Sequence, residues 1–151
     1  MKHSIKCLLT TLVVSLSLAA PILAEPIESA SVRVIDGDTI EVEGRKPNIR
    51  LVGFNTPEIR NAKCEDEGRL GVDATNRLRD LVKANPLELT IVRCACKPGT
   101  EGTRNCNFGR SCGVLKINGR DAGEILIAEG LAVPFVCGKT RCPKMPRPWC
   151  E

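Results

Sequence analysis

Tyrosine is absent from this 151-residue chain, and the other aromatics are few: Phe54, Phe108, Phe135 and Trp149. That argues against a platform of several rings, each stacking one nucleobase. Histidine is nearly absent too, His3 being the single one. If the N-terminal segment is removed, no imidazole remains. Ser-His-Asp hydrolysis, Cys-His proteolysis and His-ligated zinc are then excluded. Acid–base work falls to carboxylates, Lys, Arg or water. Neither sign of charge dominates: 22 Lys and Arg face 18 Asp and Glu, a net charge of +4. Any phosphate recognition is therefore local rather than a broad basic face. Long apolar runs are missing beyond the first two dozen residues.

The one apolar run reads as an export signal. Lys2 and Lys6 precede the apolar stretch Leu8 to Ala20, and Pro21 leads into Ile22-Leu23-Ala24. This pattern predicts a signal peptide over residues 1–24, cut after Ala24, and a single domain over residues 25–151. The run is short of the ~20 residues that span a bilayer. No stable membrane association is expected after cleavage, and the mature chain, expected to be a monomer, should be periplasmic or secreted. Cysteine usage agrees. Cys7 leaves with the signal, and eight remain: Cys64, Cys94, Cys96, Cys106, Cys112, Cys137, Cys142 and Cys150. An even count in an exported chain implies disulfides. On the order of 100 pairings are possible, and a nested pair within Cys94, Cys96, Cys106 and Cys112 is the expected one for the insertion. The rival is a zinc site, but Cys94-Ala95-Cys96 is not the usual ligand gap.

Alternation of apolar and polar residues predicts strands over 31–35, 39–43, 49–54, 87–93 and 113–117. Asp36-Gly37 marks a hairpin between the first two. Leu70, Ala74, Leu78, Leu81 and Val82 recur at helical spacing, and Asn85-Pro86 stops that helix. Asp121 with Glu124 reads as a capping box opening a short helix that ends at Gly130. Residues 25–30 read as a polar leader, 94–112 as a loop and the tail from Gly138 as irregular. The expected fold is mainly β with helices: a five-stranded OB-fold barrel with about two packed helices and a disulfide-braced insertion and tail. An α+β sandwich of similar content is the alternative.

Three polar clusters fall at strand ends. Asp36 and Asp38 flank Gly37. Arg50 is followed by Asn55, Thr56 and Glu58. Gly109-Arg110 precedes the last strand. Asp38, the Asn55 side-chain oxygen and a nearby carbonyl are the hard oxygens that Ca²⁺ prefers. Two arginines suit a phosphodiester, since each can fork onto phosphate oxygens and offset growing charge. Glu58 suits the orientation or deprotonation of water.

In order and spacing, three motifs resemble the staphylococcal nuclease (thermonuclease) family. They are Val34-Ile-Asp-Gly-Asp-Thr-Ile40, Ile49-Arg-Leu-Val-Gly-Phe-Asn-Thr-Pro-Glu58, and Phe108-Gly-Arg110 with Asn118 to Ala132. The resemblance covers roughly residues 31–135. It implies an OB-fold barrel and Ca²⁺-dependent hydrolysis of DNA and RNA. It further implies that Asp38 is the first metal carboxylate, that Asn55 and Thr56 complete the metal position, and that Glu58 is the general base. Arg50 and Arg110 would bind phosphate, with Asp36 tuning the site. The chain departs from the family's pattern at Asn55, where the family carries Asp. Phe108 and Phe135 stand in place of tyrosines, and a Pro- and Cys-rich tail replaces the last helix. The reading from sequence is an exported metal-dependent nuclease. The alternative is a non-catalytic nucleic-acid-binding or structural domain on the same scaffold.

Overall fold

The computed structural model describes residues 24–150, so the expected signal peptide lies outside the described residues. Nine strands and two helices follow in chain order. β1 (Glu25–Ile27) is followed by the hairpin of β2 (Val32–Asp36) and β3 (Thr39–Val42). β4 (Ile49–Leu51) and β5 (Gly53–Asn55) come next, then α1 (Glu65–Ala84). β6 (Leu87–Val92) and β7 (Ser111–Ile117) flank the insertion. β8 (Arg120–Asp121), α2 (Ala122–Ala128) and β9 (Val133–Phe135) complete the set.

The main sheet runs β1-β6-β7-β4-β3-β2, with β8 added to β7. It has seven strands rather than the expected five, and curves as an OB-like half-barrel around the core. The pairs are antiparallel except β4 with β7, which run parallel. Ile40, Ile49, Leu78, Leu89, Leu115 and Leu126 are each at most 2% exposed. Burying one such side chain contributes about 2 kcal/mol.

Three local differences from the sequence reading have simple causes. The supposed polar leader holds β1, a three-residue edge strand; Pro26 hides it, because it breaks the pattern of a strand yet is tolerated at an edge. The expected strand 49–54 breaks at Val52: Gly53 has φ +96°, which turns β5 out of the main sheet to pair with β9. The helix begins at Glu65, five residues ahead of the first apolar position. Its opening turn carries Glu65, Asp66 and Glu67, which suits the positive end of the helix.

The expected capping at Asp121 is present: its carboxylate accepts the N–H groups of Gly123 and Glu124. The nested disulfides Cys94–Cys112 and Cys96–Cys106 brace the insertion, as expected. Cys137–Cys142 folds the tail on itself, and Cys64–Cys150 ties its end to the start of α1.

Candidate active site

The hairpin β2–β3 brings its tip against the segment after β5. Asp36 accepts the backbone N–H of Asp38 at 3.2 Å, so the tip is a local Asx turn. Gly37 lies against Thr56: a methyl there would sit 2.7 Å from Thr56 Oγ1. The absent side chain lets two loops close on one another. Asp38 Oδ2 then receives the Thr56 N–H at 3.2 Å and the Thr56 hydroxyl at 3.1 Å. Thr39 donates its hydroxyl to Oδ1.

Arg50 projects from β4 into the same place. Its Nη1 lies 2.9 Å from Asp38 Oδ2 and donates to the carbonyl of Leu51. Its Nη2 donates to the carbonyl of Phe54 and to Asn55 Oδ1, at 3.2 and 3.1 Å. Asp38, Arg50, Asn55 and Thr56 are all buried. Burial pushes the Asp38 carboxyl up to about 6; Arg50 opposes that rise and the Asp36 charge adds to it. The site thus holds a carboxylate paired with Arg50 in a dry setting.

Arg110 arrives from the other side, at the start of β7. It donates to Thr39 Oγ1 at 3.1 Å and to the carbonyl and side-chain oxygens of Asn107. Burial and then the nearby Arg50 charge lower its pKa, while Asp38, Asp36 and Glu58 oppose them. The two arginines therefore converge on one patch with three carboxylates near them.

Before Arg110, Asn107, Phe108 and Gly109 all have positive φ (50°, 58° and 82°). A left-handed Phe is strained, at a cost of about 1–2 kcal/mol. The two insertion disulfides close around this turn and hold it. Phe108 is left 79% exposed, with the Arg110 guanidinium 5.7 Å from its ring centroid. A mostly apolar cavity of about 500 Å³ opens here, lined by Arg50, Arg110, Phe108 and Phe135 on the barrel side and by Pro143 and Met145 of the tail.

Glu58 is half-buried on the loop that α1 supports. Gly71 of α1 touches that loop, where a methyl would lie 2.8 Å from the Pro57 carbonyl oxygen. Glu67, fully buried one turn earlier, accepts the N–H of Lys63 at 2.7 Å and a bidentate pair from Arg147, both bonds 2.7 Å. These Arg147 bonds hold the Glu67 carboxyl below its ordinary range against the effect of burial, helped by the backbone N–H groups of Lys63 and Glu58. All the site residues expected from sequence thus fall in one region.

Sequence reasoning did not find Glu67 and Arg147. Glu67 looks like any acid in a first helical turn, and the count of tail cysteines was the sole hint that the tail is fixed. Among the described residues no three His, Cys, Asp or Glu side chains cluster as a metal site, so any ion here relies on amide and carbonyl oxygens as well as Asp38.

No family model matches the chain. It is 33% identical over 103 residues to a Bacillus subtilis protein named Endonuclease YncB, covering 66% of this chain and 44% of that one. It is 31% identical over 103 residues to the SPbeta prophage-derived endonuclease YokF of Bacillus subtilis, covering 66% of this chain and 31% of that one. A protein of Escherichia coli O157:H7 named as an uncharacterized endonuclease is 31% identical over 115 residues, covering 74% of this chain and 63% of that one. This chain therefore spans less than half of the two Bacillus proteins and under two thirds of the third. Relatives from two distant bacteria carry the same word, endonuclease.

Proposed function

We propose that this chain is an exported nuclease of the staphylococcal nuclease type, hydrolysing phosphodiester bonds of DNA or RNA with Ca²⁺. The observation that carries this reading is the convergence of Arg50 and Arg110 beside the buried Asp38. Charged groups of both signs held in a dry pocket suit a reaction that builds negative charge on phosphorus. The endonuclease names of the relatives support the same substrate class.

The donor set fits a hard cation. Asp38 is a buried carboxylate, a hard anionic oxygen donor at the centre of the site. The Thr56 carbonyl and Asn55 Oδ1, which keeps a second lone pair beyond its bond from Arg50, would complete the ligands. When bound, the ion supplies Lewis-acid polarisation of a phosphoryl oxygen and a more acidic water. Arg110 grips the phosphate, and the charge of Arg50, whose guanidinium is held by protein oxygens, offsets the negative charge that grows beside it. Glu58 receives the proton of the attacking water. The apolar cavity beside Phe108 and Phe135 takes a base against a ring face.

The N-terminal pattern supports export of a mature single domain, as do the four disulfides, which form and persist in oxidising compartments. No helix among the described residues is long and apolar enough to cross a membrane. Incubation of the mature protein with single-stranded DNA, with Ca²⁺ and with chelator, tests the reading. Cleavage that needs Ca²⁺ supports it. DNA that is bound and left intact under both conditions identifies a non-catalytic scaffold instead.

A further inference from the structure

Nothing in the chemistry above calls on residues 138–150, yet this tail crosses the site as a strap. Pro143 and Met145 form one wall of the cavity whose other side carries Arg50 and Arg110. Three tethers hold the strap there. The first is the Cys64–Cys150 disulfide. The second is the Glu67–Arg147 pair, reinforced by an Arg147 bond to the Asn61 carbonyl at 2.6 Å. The third is a hydrogen bond into the site: Asn55 Nδ2 donates to the Pro146 carbonyl at 3.0 Å.

Asn55 is 1% exposed, and its amide is engaged at both ends. Oδ1 accepts from Arg50 Nη2 while Nδ2 donates to the strap. A carboxylate offers acceptors alone and could not make the second bond. Aspartate at this position would set one of its oxygens against the Pro146 oxygen with no proton between them. Unpaired buried acceptors of this kind are unfavourable. The amide at position 55 is therefore what the strap requires.

We infer that the strap is a working part of the site and that Asn55 is the positioning residue through which it acts. The Pro146 carbonyl fixes the Asn55 amide, and the fixed amide sets the plane of the Arg50 guanidinium. Arg50 Nη2 has two partners, the Phe54 carbonyl on β5 and Asn55 Oδ1, and it is the latter that responds to the strap. This inference rests on the nuclease reading for its consequence in catalysis. Small misplacement of a group that grips the reacting centre reduces turnover more than it reduces affinity.

The test is a cycle on the full mature chain: wild type, Asn55→Asp, the pair Cys64→Ser with Cys150→Ser, and all three substitutions together. With single-stranded DNA and saturating Ca²⁺, Asn55→Asp should lower kcat about tenfold with little change in KM. The serine pair should do the same. In the serine-pair background Asn55→Asp should cost clearly less than in the wild type, because the loosened strap can move its carbonyl away from the carboxylate. Equal fold-losses from Asn55→Asp in both backgrounds, or full kcat in the serine pair, would overturn the inference. Arg147→Met, which keeps every disulfide, is the second way to release the strap and should lower kcat in the same direction; full turnover there also counts against the inference.

Proton exchange of the Arg50 guanidinium and the Asn55 amide, followed by NMR without metal, separates the two readings. Exchange at least tenfold faster in the serine pair and in Arg147→Met supports the coupling; unchanged exchange rejects it. If the wild type cuts no nucleic acid, the nuclease reading fails, and the exchange result alone decides whether the strap positions Arg50.

Discussion

Arg50 and Arg110 differ in how they are held, and the difference sets what each substitution should do. Arg50 is buried, with both terminal nitrogens committed to protein oxygens, whereas Arg110 leans on an exposed ring. Lysine is a point donor without the planar fork. Arg50→Lys and Arg110→Lys should each reduce turnover by about 10²–10³ in a DNA cleavage assay. Arg50→Lys should also lower the melting temperature, since it leaves several buried oxygens short of donors. Glu58→Gln should lower kcat by about 10²–10⁴ and leave DNA affinity nearly unchanged, as measured by single-turnover kinetics and binding titration. A different mechanism acts at Gly71. Alanine there would gain about 1 kcal/mol of helix propensity. Its methyl would also lie 2.8 Å from the Pro57 oxygen, and backbone does not yield cheaply. Gly71→Ala should therefore lower the melting temperature despite the propensity gain, and activity should fall at least tenfold (an order-of-magnitude expectation from loop displacement).

At the scale of elements, α1 is the hub. Its apolar face packs on the β2 side of the sheet, while its first turns hold the Glu58 loop and the strap together through Glu67. The folded Glu67 carboxyl titrates below its usual value. A depressed carboxyl stabilises the fold above its unfolded pKa, and that stability is lost as pH falls through the folded value. Urea unfolding of wild type and Glu67→Gln should accordingly differ most at neutral pH, by about 3 kcal/mol, the low end for a broken buried pair because Arg147 remains partly exposed. The gap should close below pH ~4.5. Much of this layer was legible from sequence. The alternation in 31–43, the spacing of Leu78 and Leu81 and the Asn85-Pro86 stop each rest on local rules that tertiary contacts did not override. β1 and the β5–β9 pair were not legible, because three-residue strands have too little pattern to stand out. Asp38, Arg50 and Glu58 stand out in the sequence because their motifs are contiguous. The link from Asn55 to Pro146 spans 91 positions, and no local signal carries it.

For the whole molecule, the four disulfides leave no free thiol among the described residues, so thiol titration of the denatured, unreduced mature protein should give none. Finding free thiols there would contradict the pairing. The placement of the bridges has one more effect. Residues 97–105 carry the exposed Arg104, an attractive position for a trypsin-like protease, whereas Lys97 is shielded by the proline that follows it. A cut after Arg104 falls inside Cys96–Cys106, which is itself enclosed by Cys94–Cys112, while Cys64–Cys150 joins the two ends of the larger arc. Severing the chain there separates nothing. The nicked molecule should run as one band on a non-reducing gel and as two after reduction, and it should still present both arginines. That arrangement makes a nick in this exposed loop survivable.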